Sequence, residues 1–167
     1  MDTLTCRPAT PGDAVALAAL IGDLGYEVTP ETAAARLDAV RADGGEALLA
    51  FRPGDPAPVG LIGLQRLSML QADGPLLRIT TLVVRADLRS QGLGAALLRL
   101  AEAEARRQGA TAIELTTNLA RTRAQAFYQS NGFEARSLRL HRALDTSWPK
   151  PGGQQQGQDS ASNGASS

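Results

Sequence analysis

The chain has 167 residues, 43% hydrophobic, 20% charged and 4% aromatic, which suits one soluble domain with an apolar core and leaves little room for two. Its longest strongly apolar run, residues 14–21, is far short of the ~20 residues a membrane-spanning helix needs, so no membrane partner is expected. Zero net charge hides a polarity: residues 1–77 carry five arginines against ten acids, and residues 78–142 eleven arginines against five acids.

The start, Met-Asp-Thr-Leu-Thr-Cys-Arg-Pro, has no basic leader or apolar segment, and the expected compartment is the cytoplasm. One cysteine, Cys6, cannot close an internal disulfide, and with a single histidine, His141, no soft-ligand set for a metal is expected. The arginines of the basic half are scattered and aromatic residues are few, which argues against nucleic acid and for a compact anionic ligand.

In chain order, residues 4–7 read as a short strand. Thr10-Pro11-Gly12-Asp13 then supplies a turn and a cap for an Ala/Leu-rich helix from 14 to about 24, stopped by Gly25. Thr29 as cap and Pro30 at the first helical position open a second helix to about 41, closed by Asp43-Gly44-Gly45. Residues 47–52 and 58–67 flank the turn-rich Pro53-Gly54-Asp55-Pro56 and form a hairpin. The β-branched run 78–84 is the strongest strand signal, followed by a turn and a long helix from 94 to about 108. Residues 111–117 make a further strand and 122–130 a short helix stopped by Asn131-Gly132. Residues 133–144 make a last extended segment. From Pro149 onward the Gly, Gln and Ser residues offer no apolar area to offset ordering entropy, so the domain is 1–148 and the tail 149–167 is disordered. The order implies an α/β domain on a largely antiparallel sheet with flanking helices and a parallel unit late in the chain.

The informative stretch is the turn Arg89-Ser90-Gln91-Gly92-Leu93-Gly94 between that strand and the long helix. A helix start presents unpaired N–H groups and the positive end of the macrodipole, glycines let a phosphate approach the backbone, and Arg89 adds a mobile charge. Turn formation alone explains many such glycines. The preceding strand and an apolar face of Leu93, Leu97, Leu100 and Ala101 favour a phosphorylated ligand. A nucleotide-hydrolysing P-loop would need a Gly-Lys-Ser/Thr ending, and the only lysine is Lys150 in the tail. A dinucleotide fingerprint would need a small residue at Leu97, and its ribose-binding acid, Glu114, would sit inside a strand rather than at its end.

Two stretches resemble the GNAT-type N-acetyltransferases. Arg89-Ser-Gln-Gly-Leu-Gly is similar to the family's pyrophosphate-binding motif. Asn118-Leu-Ala-Arg121-Thr-Arg-Ala124-Gln-Ala-Phe127-Tyr128-Gln-Ser-Asn-Gly132-Phe133 is similar to its later Asn-to-Gly-Phe segment. The resemblance implies the GNAT-like fold and acetyl-CoA as cosubstrate. The pantetheine would lie along Leu82, Val83 and Val84, and the pyrophosphate on amides of Ser90, Gln91, Gly92, Leu93, Gly94 and Ala95 beside Arg89. Asn118 would face the pantetheine and Arg121 would approach the cofactor. Tyr128 would be the general acid for the departing thiolate, although an aromatic beside Phe127 is also read simply as core.

Many relatives carry a glutamate on the strand that here reads Arg78-Ile-Thr-Thr-Leu-Val-Val, so the base is a water held by Thr80 and Thr81 or an acid such as Glu27. Cys6 is expected to be a small buried residue, and His141 a surface one. The acceptor side, with Leu24, Tyr26 and Glu27, belongs to a half rich in acids and favours a small-molecule or peptide amine. The competing readings are a non-catalytic acetyl-CoA-binding or regulatory module and, third, a Rossmann oxidoreductase. The oligomeric state is open, and a homodimer is compatible with it.

Overall fold

Apolar residues follow one another along the middle strands, as in Leu48-Leu49-Ala50 and residues 60–64, so successive side chains are buried on both faces and the sheet must be covered twice. The computed structural model describes residues 3–117 and 121–148. Its elements are β1 (Thr5–Pro8), α1 (Ala14–Asp23), α2 (Pro30–Ala42), β2 (Gly45–Phe51), β3 (Gly60–Leu67), β4 (Leu76–Val84), α3 (Leu93–Arg107), β5 (Ala112–Leu115) and α4 (Thr122–Ser130). Short 3-10 turns lie at Pro11–Asp13 and Ala86–Leu88. The sheet order is β1-β2-β3-β4-β5, antiparallel except for the parallel pair β4/β5.

On one face Leu48, Ala50, Ile62, Leu64, Leu77 and Ile79 meet Leu93, Leu97, Leu98, Ala101 and Ala105 of α3. Each leucine so buried contributes roughly 1.5–3 kcal/mol, which is what holds a helix with an exposed polar side in place. On the other face Leu49, Leu61 and Val83 meet Leu17, Ala18 and Leu20 of α1 and Ala33 and Leu37 of α2. The strand and helix boundaries read from the sequence are each within a few residues of those observed. As the sequence suggested, Leu93, Leu97 and Ala101 line the buried face of α3; Leu100 is only partly buried and Leu98 joins them.

The last expectation of a strand is not met. Residues 133–144 form no strand, and Leu138, Leu140 and Leu144 are 71%, 86% and 93% exposed. Alternation of Leu138 and Leu140 with Arg139 and His141 satisfies a period of two, but such a pattern carries no information about which edge will take it. Here the segment is tied to the sheet by a side chain, Arg139 Nη1 donating to Thr116 Oγ1 at 3.0 Å. The tail 149–167 lies outside the described residues.

A side-chain cap opens α2, and a side-chain-braced turn leads into α1. Thr29 Oγ1 accepts from the Thr32 N–H at 3.2 Å. Asp13 gathers four donors: the Thr10 N–H at 2.7 Å, the Thr10 hydroxyl at 2.9 Å, and both Arg7 terminal nitrogens at 2.8 Å. The Arg7 guanidinium above all, helped by Thr10, holds the Asp13 carboxyl well below the usual carboxylate range. A depressed native value means stability that is present above the unfolded pKa and lost as pH falls through the native one. Asp13→Asn, which removes the charge facing Arg7, should therefore lower stability near neutral pH by up to about 1 kcal/mol. The gap to the parent chain in denaturant titrations should narrow below about pH 4, the unfolded carboxyl value.

Candidate active site

The site grows from a mismatch in β4. Gly63 pairs with Thr81 and the next residue, Leu64, pairs with Ile79, which leaves Thr80 as one extra residue. Such a bulge bends the strand and reverses the facing of everything beyond it. Leu77 and Ile79 point at α3 before the bulge, and Leu82 and Val84 point there after it. Gly63 is required opposite: a Cβ there would lie 2.7 Å from Thr80 Oγ1 and 3.0 Å from Thr81 Oγ1.

The same point is where β4 loses its outer neighbour. Its pairing with β5 runs from Leu76↔Ala112 to Ile79↔Leu115 and stops. From Thr80 to Val84 the strand bonds only to β3 among the described residues, so backbone donors and acceptors on the outer side stay available to an extended ligand. Arg78 and Glu114, register partners across β4/β5, are joined as an ion pair just before the split. That pairing accounts for Glu114, which sits in mid-strand.

Beyond Val84 the chain turns through Ala86–Leu88 into the start of α3. Ser90 (φ 64°) and Gly92 (φ 78°) are both left-handed, and Gly92 is the N-cap. No side chain caps α3 among the described residues, so the N–H groups of Leu93, Gly94 and Ala95 have no partner within the helix. A Cβ on Gly92 would meet nothing, but the positive φ disfavours one. Gly94 has a different reason from the one its motif suggested: a Cβ there would lie 3.0 Å from Phe127 Cζ. Its bareness admits the α4 ring against the start of α3.

Phe127 in turn sets Tyr128. The Tyr128 ring stands edge-on to Phe127 at 5.3 Å and to Phe133 at 6.0 Å, against the same core that holds Leu82 and Val84. Burial pushes the Tyr128 phenol above its ordinary pKa, and the Arg121 charge opposes this more weakly. The phenol therefore stays protonated at physiological pH.

The structure thus brings β4 beyond the bulge, the 89–95 turn and Tyr128 to one end of the sheet. Asn118 lies outside the described residues. Arg89 is exposed at the turn, and its guanidinium donates to the Asp23 carbonyl at the end of α1. Gln91 Oε1 accepts from Arg52 Nη2 at 3.2 Å. Leu24 packs with Val83 in the core on the α1/α2 face, while Tyr26 (41% exposed) and Glu27 lie open between the two helices. Thr80 is exposed and Thr81 half-buried.

Cys6 is exposed, contrary to expectation, because the short edge strand β1 leaves its side chains uncovered. Partial desolvation first, then the charges of Glu104 and Glu46, raise its thiol pKa, the wrong direction for a nucleophile. His141 is exposed beside Trp148. Among the described residues no helix is long and apolar enough to cross a membrane, and no three His, Cys, Asp or Glu residues cluster as metal ligands.

A five-stranded sheet that opens beside β4, with an uncapped helix start next to the opening, presents unpaired backbone groups suited to an extended ligand with an anionic group. Comparison with known proteins agrees. The model of the acetyltransferase (GNAT) family matches residues 16–133, and the chain belongs to that family, whose acetyl donor is acetyl-CoA. It is 38% identical over 96 residues to the aminoalkylphosphonate N-acetyltransferase of Salmonella typhimurium, a match covering 58% of this chain and 61% of that protein. A GNAT family acetyltransferase from Staphylococcus aureus superposes with a TM-score of 0.72 at 22% identity, covering 86% of this chain and all of that one (100%). A transcriptional regulator from Bacillus halodurans superposes with a TM-score of 0.72 at 24% identity, covering 83% and 99%. At such identities the structures speak for the fold.

The contact between Gly94 and Phe127 can be tested directly. Gly94→Val should destabilise the chain by about 1–3 kcal/mol through overpacking. Phe127→Leu in the same chain should recover part of that loss in denaturant titrations, although each change alone is destabilising.

Proposed function

We propose that this protein transfers the acetyl group of acetyl-CoA to a primary amine by direct attack within a ternary complex. The observation that carries this is the open outer edge of β4 from Thr80 to Val84 leading into the uncapped start of α3. An extended pantetheine arm would add to that edge as a strand would, through Leu82, Val83 and Val84. The amides of residues 90–95 would receive the pyrophosphate, with Arg89 beside it and Arg121 near the cofactor. The neutral amine attacks the thioester carbonyl, and β4 backbone N–H groups freed at the bulge stabilise the oxyanion. The C–S bond then breaks, the new amide retains the acetyl group, and the thiolate takes the Tyr128 phenol proton. The proton leaving the amine passes to a water held by the Thr80 and Thr81 hydroxyls, since β4 offers no carboxylate there. Tyr128 is reprotonated from solvent.

For the acceptor, Glu27 beside Tyr26 is the carboxylate best placed to draw in a cation. Asp23 and Glu31, its neighbours in the acidic half, are already engaged with backbone groups, Asp23 with the Ala86 N–H and Glu31 at the start of α2. The Salmonella relative's printed substrate makes an aminoalkylphosphonate a natural member of the amine panel. Nothing in this reading needs any compartment other than the cytoplasm.

The test is thiol release from acetyl-CoA over a panel of small and peptide amines. Tyr128→Phe should lower kcat by about 10²-fold, the scale of a lost general acid, with the acetyl-CoA KM little changed. Gly92→Glu should abolish stabilisation by CoA in thermal melts. Because the phenol is raised above its ordinary value, kcat should show no loss of the acid form below about pH 10. Absence of β4's carboxylate also favours a second reading, a binding or regulatory module, which predicts stabilisation by CoA with no turnover on any amine.

Exchanging the acid nearest Tyr26 separates the acceptor side from the cofactor side. Glu27→Gln should raise KM for a cationic amine more than KM for acetyl-CoA. Equal changes in both would remove Glu27 from the acceptor site.

A further inference from the structure

Beyond the last paired residues of β4 and β5, the face of the sheet turned away from α3 gathers polar side chains. Ile113 and Leu115 pack towards α3, so Glu114 and Thr116 lie on the other face, where Arg78 meets Glu114 as an ion pair. Pairing ends at Ile79↔Leu115, which makes Thr116 the first residue of β5 past it, across the opening from the bulge at Thr80. Gly63 belongs to the same face, since its neighbours Ile62 and Leu64 face α3, and a Cβ on it would run at the Thr80 and Thr81 hydroxyls. Both hydroxyls and Thr116 therefore share one face at the opening. Helices α1 and α2 cover Leu49, Leu61 and Val83 on that face but leave Arg78, Thr80, Glu114 and Thr116 exposed or half-buried.

Into this bay comes Arg139, from the segment that follows α4. Its Nη1 donates to Thr116 Oγ1 at 3.0 Å, which places the guanidinium at the opening and engages only part of its donor set. Arg78 is neutralised by Glu114 and Arg136 by Glu134, whereas among the described residues no carboxylate pairs with Arg139. A tethered guanidinium with N–H groups to spare is suited to a carboxylate or phosphonate, which it can hold through two parallel hydrogen bonds.

We propose that Arg139 receives an anionic group of the acceptor, so that the protein acetylates amines carrying a carboxylate or phosphonate a short carbon chain from the nitrogen. This rests on the reading above, in which the thioester lies at the bulge and the amine gives up its proton beside Thr80 and Thr81. An acceptor whose nitrogen reaches that point has Arg139 on its β5 side, and an oxyanion there meets a cation that no carboxylate of the described residues neutralises. A plain alkylamine gains nothing from the same guanidinium. Arg139 thus determines which amines are held, and takes no part in the proton transfers.

The test compares matched acceptors at saturating acetyl-CoA: an ω-amino carboxylate, the aminoalkylphosphonate of equal length and the plain alkylamine. In the parent chain kcat/KM should favour at least one of the two anionic acceptors over the alkylamine by about tenfold, the scale of one charged hydrogen-bonded contact. Arg139→Gln keeps an N–H for Thr116 and removes the charge. It should bring that ratio close to one through the KM of the anionic acceptor, with the acetyl-CoA KM unchanged. Arg139→Lys, which restores a cation, should recover part of the preference. A ratio near one in the parent chain, or equal losses on charged and uncharged acceptors in Arg139→Gln, would overturn the assignment and leave acetyl transfer standing. No turnover of any acceptor by a chain that CoA stabilises in thermal melts would overturn both.

Discussion

One residue too many in β4 governs the geometry of the whole site. Had Thr80 paired in register, Leu82 and Val84 would turn away from α3 and the strand would have no apolar reason to leave β5. With Thr80 extra, both halves of β4 bury side chains under the same helix while the backbone swings away from its parallel neighbour. The opening beside β4 is therefore held by hydrophobic burial on either side of it, and unpaired backbone groups face outward there because the core requires the bend. Stability and ligand access come from the same displacement.

Around that strand the labour is divided by face. α3 and α4 lie on the side of Leu82 and Val84, with the uncapped start of α3 and the phenol of Tyr128. α1 and α2 lie on the side of Val83, where the acids of the N-terminal half gather. The arginine excess of residues 78–142 and the acid excess of residues 1–77 are thus carried by opposite layers in large part. A negatively charged donor and a positively charged acceptor would approach one strand from its two flanks.

Much of the fold was legible because its signals are local. Thr29 and Pro30 mark a helix start wherever they stand before an Ala-rich run, and the Val/Ile/Thr run of β4 admits little but a strand. The motif around Gly92 was legible too, although its two glycines serve different needs, one a left-handed backbone and the other the Phe127 ring. What escaped was non-local. The bulge shows only when β3 and β4 are laid together, although an isolated Gly63 inside a strand pattern was its available signal. The engagement of Arg89 by Asp23 spans 66 residues and leaves no trace in spacing. The segment after Gly132 misled because alternation reports a pleated habit without reporting a neighbour to pleat against.

The intimacy of Gly63 with Thr80 also constrains how the sequence can drift. A methyl group at 63 would press on the hydroxyls of Thr80 and Thr81, while the exposed Thr80 has solvent into which a different side chain can turn. The constraint therefore runs one way: in descendants of this chain position 63 should stay glycine for as long as threonines stand at the bulge, while position 80 is the freer of the two.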